Sequence, residues 1–186
     1  VYVPINTAYT EEELIYFIND SKPKLIIISS KVSDKLLKVK KKLGLLLISI
    51  NNDLFSEIKN LDKKINSVEV NIDHTAVIIY TSGTTGKSKG AVISHNNLTI
   101  NAQDLISIWK FSEKDILLHA LPMFHVHGLF VANHCSLLTG ASIIWHEKFK
   151  ASDVILSLPK VTVFMGVPTY YSRILKNKNF KKSLCQ

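Results

Sequence analysis

Apolar residues recur in two rhythms along this 186-residue chain, one of helical and one of strand period. Thr10 followed by Glu11, Glu12 and Glu13 forms a capping box with acids in the first turn, and Leu14, Phe17 and Ile18 then return at helical spacing. A helix starts there and Pro23 stops it. The β-branched run Leu25 to Ile28 reads as a strand. The alternation repeats, with a helix over about Ser33 to Leu43 closed by Gly44, then a strand over Leu45 to Ile50. Residues 51–73 are polar and rich in Lys and Asn, a connector with one short helical pattern around Leu54 to Leu61.

Beyond the connector, strands are expected at Ala76 to Tyr80, Ala91 to Ser94, Ile116 to Ala120, Ala141 to Trp145 and Val161 to Met165. Helices are expected over about Asn96 to Trp109, Val126 to Leu138, Ser152 to Leu158 and Thr169 to Lys176. Strands alternating with helices predict an α/β fold, with largely parallel sheets and flanking helices.

Composition narrows this picture. A hydrophobic content of 46% in 186 residues is enough for a sizeable core, so the chain is globular. There is no uninterrupted apolar run of membrane-spanning length, and no basic-then-apolar leader at the start, so the expected compartment is the cytoplasm. The first residue is Val1 rather than Met, from which a preceding segment is expected. Cys135 lies in an apolar run and Cys185 at the tail, a spacing that suggests neither a disulfide framework nor a zinc site. The net charge of +8 comes from 22 Lys and the single Arg173. Lysines on helix faces and turns read as solvated surface rather than a nucleic-acid footprint, since base-reading proteins favour Arg. The anionic partner is then expected to be small, such as a triphosphate.

The most informative stretch is Tyr80-Thr81-Ser82-Gly83-Thr84-Thr85-Gly86-Lys87-Ser88-Lys89-Gly90, set between two apolar strands. Its glycines let backbone N–H groups turn inward, its hydroxyls add donors, and Lys87 and Lys89 supply positive charge, all of which suit an anion. An ordinary polar hairpin loop is the plainer reading. A Walker loop needs four residues between its first glycine and Gly-Lys-Ser, whereas Gly83 and Gly86 are separated by two. Gly-x-Gly-x-x-Gly is absent as well. Gly83-Thr84-Thr85-Gly86 fits the Gly-x-x-Gly of a KH-like nucleic-acid-binding module, but that loop joins helices rather than following a strand.

The run Tyr80 to Gly90, with Ala91-Val92-Ile93-Ser94-His95-Asn96-Asn97-Leu98 after it, resembles the signature phosphate loop of the adenylate-forming (AMP-binding) superfamily. That superfamily includes acyl-CoA synthetases, luciferases and peptide-synthetase adenylation domains. Ser88 stands where the commoner form has Pro, a change that leaves the glycines and Lys89 in place. Leu121-Pro122-Met123-Phe124-His125-Val126-His127-Gly128-Leu129 resembles the next core motif, and Met165-Gly166-Val167-Pro168-Thr169 resembles the turn lining the acyl pocket. Together with Val3-Pro4-Ile5-Asn6-Thr7-Ala8-Tyr9-Thr10, these runs look most like malonyl-CoA synthetases. The resemblance covers essentially the whole chain and implies part of the large N-terminal domain of such an enzyme.

It also implies chemistry: ATP-dependent activation of a carboxylate as an acyl-adenylate, followed by transfer to coenzyme A. Thr81, Ser82, Gly83, Thr84, Thr85, Gly86, Lys87 and Lys89 would grip the β- and γ-phosphates while the carboxylate attacks the α-phosphorus. His125 would wall the acyl and adenylate pocket beside Gly166, with His127 packed against its neighbours. A metal site at the pair His125 and His127, near His119 and Cys135, is the alternative, disfavoured because the pair would not face one another on a strand-to-helix turn and no carboxylate cluster accompanies it. Arg173 lies one turn into the helix after Gly166, where a planar fork could hold the second carboxylate of a short diacid; a surface arginine paired to an acid is the other reading. The Mg2+-binding glutamate, the ribose-binding aspartate and the catalytic lysine of such enzymes have no counterpart here, so the chain alone is expected not to complete the reaction and to leave strand edges open. A non-catalytic nucleotide-binding remnant is the competing class of function.

Overall fold

The computed structural model describes residues 1–29, 39, 47–50, 59, 68–81 and 88–185. The chain divides into two compact units, one spanning Ile5–Val70 and the other comprising Val1–Pro4 with Asn71–Gln186.

In the first unit, helix α1 (Glu11–Ser21) begins at the expected capping box. Glu13 N–H donates to Thr10 Oγ1 at 3.2 Å and Thr10 N–H donates to Glu13 Oε2 at 2.7 Å. The helix ends two residues before the expected breaker. Lys22 takes the left-handed conformation (φ 46°) and its N–H returns to the Ile18 carbonyl, so Pro23 follows a stop already made. Strand β1 (Ile26–Ser29) pairs in parallel with β2 (Leu47–Ile50), Ile26 opposite Leu47. Leu14 and Ile18 on the buried stripe of α1 pack with Ile28 and Val39. The helices expected over Ser33 to Leu43 and Leu54 to Leu61 fall outside the described residues, apart from Val39 and Lys59.

The second unit opens with β3 (Thr75–Thr81) and β4 (Lys89–Ser94), which pair antiparallel, Thr81 opposite Lys89. This hairpin is the antiparallel pair in an otherwise parallel set of described strand pairings, because a connection this short reverses the chain, whereas parallel pairing requires a longer crossover. Ser94 then caps α2 (His95–Trp109) through a second capping box with Asn97. That Ser-to-Asn pairing starts the helix one residue earlier than apolar spacing alone predicts.

The remaining strands form a parallel sheet in the order β6-β5-β7, comprising β6 (Ser142–Trp145), β5 (Ile116–His119) and β7 (Val163–Phe164). Side chains alternate across a strand, so neighbouring residues of the central β5 enter different cores. Leu117 packs with Phe111, Leu121, Ala132, Cys135 and Met165; Leu118 packs with Ala120, Val154, Ile155 and Ile174. Helices α2 and α3 (Asn133–Thr139) contribute to the first cluster, and α4 (Ala151–Ser157) with α5 (Pro168–Leu175) to the second, giving helices on both faces. Each of these leucines is fully buried, worth about 2–3 kcal/mol of transfer free energy apiece.

The helix expected over Val126 to Leu138 differs in kind. Its first part, His127–Ala132, is π-helical and runs into α3 without a cap, and only α3 is α-helical. Gly140, at φ 77°, closes it in the left-handed conformation that favours glycine.

Candidate functional site

The hairpin positions the ends of the glycine-rich loop. Thr81, the last residue of β3, and Lys89, the first of β4, lie opposite each other, both exposed, and the Thr81 hydroxyl donates to the Lys89 carbonyl at 3.5 Å. Ser82, Gly83, Thr84, Thr85, Gly86 and Lys87 lie outside the described residues. The loop thus joins two strands, which is not the helix-to-helix setting of a KH loop.

A second locus lies at the C-terminal end of β5. The chain leaves His119 through Leu121 and Pro122 and turns back on itself, His125 N–H donating to the Pro122 carbonyl at 3.3 Å and Leu129 N–H to the His125 carbonyl at 2.8 Å. Gly128 is required in this turn, since a Cβ there would lie 2.4 Å from the Pro122 carbonyl oxygen. The Gly128 carbonyl in turn accepts from His119 Nε2 at 2.8 Å. Because a carbonyl only accepts, Nε2 carries the proton and His119 is the Nε2–H tautomer. Its ring is buried, stacked on Trp145 at 4.4 Å between centroids, and its Nδ1 meets no hydrogen-bond partner among the described residues. Burial lowers the His119 pKa, opposed by the Gly128 carbonyl and reinforced by nearby His127, so the ring is held neutral.

The π-helical segment links the two loci. Phe130 is buried with Val77 and Ile79 of the hairpin, together with Ile93, Leu98 and Leu129. The turn bearing His125 and His127 and the strands bearing the glycine-rich loop therefore share one packing cluster. Asn133 steadies the segment from its far end, its Nδ2 donating to the Leu129 carbonyl at 3.3 Å.

A cavity of about 400 Å³ opens beside β7, lined by Trp109, Phe111, Asp115, His127, Val163, Phe164, Met165, Gly166 and Tyr171. Of the residues singled out in the sequence, Gly166 lines it. His125 is exposed and outside the lining, while its neighbour His127, expected to be packed away, faces the cavity. Arg173 is exposed on α5 and does not line it either. The aromatic wall and Asp115 were not anticipated, because no local spacing signals which residues of α2, β5 and β7 converge. Asp115 has its pKa lowered by hydrogen bonds from the Thr162 hydroxyl and the Ser112 backbone, so it is a carboxylate at neutral pH. Cys135 is a buried thiol whose pKa burial raises, which makes it a packing residue rather than a nucleophile.

Among the described residues no group of three or more His, Cys, Asp or Glu could hold a metal ion, and no helix is long and apolar enough to cross a membrane. The described residues thus bring together a hairpin at the ends of the glycine-rich loop, a tight turn at Gly128 and a largely apolar cavity.

Comparison with known proteins gives this scaffold its context. The chain is 35% identical over 182 residues to the mitochondrial malonate–CoA ligase ACSF3 of Mus musculus, covering 94% of this chain and 31% of that protein. It is 32% identical over 194 residues to the malonate–CoA ligase of Arabidopsis thaliana, covering 95% and 32%. The crystal structure of ATP-bound MatB from Rhodopseudomonas palustris superimposes with a TM-score of 0.91 at 38% identity, over 100% of this chain and 38% of that one. The chain thus spans about a third of the length of the relatives it matches. The description "AMP-binding enzyme" matches residues 1–185, and the chain belongs to that family.

Proposed function

We propose that this chain forms the phosphate- and acid-binding part of an ATP-dependent carboxylate–CoA ligase acting on malonate or a related short diacid. The observation that carries this reading is the similarity to ATP-bound MatB along the entire chain, joined by malonate–CoA ligases from animals and a plant. In this reading the carboxylate oxygen attacks the α-phosphorus of ATP, pyrophosphate leaves, and the thiol of coenzyme A then displaces AMP from the acyl carbon. The loop Thr81, Ser82, Gly83, Thr84, Thr85, Gly86, Lys87 and Lys89 contributes inward N–H groups, hydroxyls and charge to the leaving phosphates, positioning rather than attacking. Exposed Lys89 at the start of β4 accords with this role.

His125, Gly166 and Arg173 are assigned to the acid, with Arg173 forking the distal carboxylate. The exposure of His125 and Arg173 leaves both side chains accessible to a ligand, and Gly166 already lines the cavity. Mg2+ would accompany the nucleotide, and the described residues contain no donor set that fits it. The compartment we propose is the cytoplasm.

The experiment is carboxylate-dependent exchange of labelled pyrophosphate into ATP, using protein expressed from its complete reading frame. Malonate should support exchange better than acetate or butyrate. Exchange with none of these acids, or steep salt-dependent RNA binding without an effect of ATP, would overturn the reading.

A further inference from the structure

We propose that His119 is a positioning residue. By donating its Nε2–H to the Gly128 carbonyl, it holds the turn that sets His127 in the cavity and Phe130 against the phosphate-loop hairpin. Its bearing on catalysis rests on the function proposed above; its effect on the turn does not.

Three observations meet at this bond. Gly128 has no room for a side chain against the Pro122 carbonyl, so the turn brings its backbone close to the end of β5. Gly128 lies within the π-helical segment His127–Ala132, a rare geometry, and two side chains hold carbonyls in its first half: His119 on Gly128 and Asn133 on Leu129. His119 itself is enclosed, at 1% exposure on the central strand and stacked on Trp145. A buried imidazole with one nitrogen unpartnered is a costly core residue, for which an aliphatic side chain would pack without penalty. Its compensating contribution is the donor it aims at Gly128. Strand β5 thereby fixes the turn, and the turn fixes His127 on one side and Phe130 on the other.

Two substitutions separate the donor from the ring. His119→Phe keeps an aromatic surface for Trp145 and removes the donor; His119→Gln keeps an N–H of similar reach and removes the ring. We expect His119→Phe to speed amide exchange at Leu129, whose N–H bonds the His125 carbonyl, by about tenfold, and His119→Gln to restore protection. In pyrophosphate exchange, His119→Phe should raise the KM for the carboxylate, and His119→Gln should recover the parent KM. Unchanged protection at Leu129 in His119→Phe, or equal loss in both variants, overturns the proposal. If His119→Phe does not fold, the imidazole nitrogen spectrum of the unaltered protein decides, with an Nε2–H neutral ring supporting the bond and an Nδ1–H ring or an imidazolium at neutral pH refuting it. Unaltered protein that exchanges with no carboxylate refutes the proposed function, while the amide and nitrogen measurements still judge His119.

Discussion

Thr162 donates its hydroxyl to the Asp115 carboxylate across 2.7 Å, joining residues 47 positions apart. The same hydroxyl accepts from Ile116 N–H at 2.9 Å, and Asp115 also accepts from the Ser112 backbone and hydroxyl at 2.8 and 3.0 Å. This small network ties the entry of β5 to the entry of β7, and Asp115 is part of the cavity wall. Thr162→Val should lower stability by about 1 kcal/mol, a modest figure because solvent reaches the site. The depressed carboxylate pKa carries a sign. Its stabilisation is present above the unfolded value near 3.8 and is lost as pH falls through the lower folded value. Urea denaturation between about pH 5 and pH 3 should therefore show a shallower acid loss in Thr162→Val than in the parent.

Gly128→Ala tests the tight turn without touching a hydrogen-bonding side chain. The new Cβ would meet backbone at 2.4 Å, which cannot swing aside as a side-chain tip can. A loss of about 1–3 kcal/mol is expected by thermal or chemical denaturation, with the largest increase in amide exchange over residues 122–129. A variant as stable as the parent would show that the turn has room to open.

For the proposed phosphate site, Lys89→Ala should remove one charge-assisted contact and Gly86→Ala should narrow the backbone conformations open to the glycine-rich loop. Each is expected to weaken ATP use by about 1.5–3 kcal/mol. Pyrophosphate-exchange kinetics at varied ATP measure this directly, and unchanged kinetics in both variants would remove the loop from the nucleotide site.

Arg173 carries the prediction on specificity. With protein from the complete reading frame, Arg173→Ala should collapse the preference for malonate over acetate and butyrate, and Arg173→Lys should retain part of it, because charge survives while the bidentate fork does not. Comparing kcat/KM for the three acids gives the answer. A parent that prefers a monocarboxylate, or an alanine variant that keeps the diacid preference, would make Arg173 an ordinary exposed arginine.

Much of this protein was legible from residue order because the responsible forces act over a few residues. The capping box at Thr10 and Glu13, the apolar stripe of α1 and the β-branched strands are local, and the structure places them within a residue or two of expectation. The glycine-rich run is likewise visible in the sequence between two apolar strands, and the structure sets its ends, Thr81 and Lys89, opposite each other in a hairpin, while its nucleotide role belongs to the proposed function. What the tertiary structure decided depends on distant partners. The spacing of His125 and His127 does not say which ring faces a cavity; the π-helical start of the helix, set by the Gly128 turn and held from β5 and Asn133, turns His127 inward. Nor does sequence show that His119 is buried and aimed at Gly128, or that Asp115 reaches Thr162, because those bonds form only when β5 lies between β6 and β7. Local propensity writes the elements, whereas hydrogen bonds and packing between residues far apart in the chain select which side chains meet.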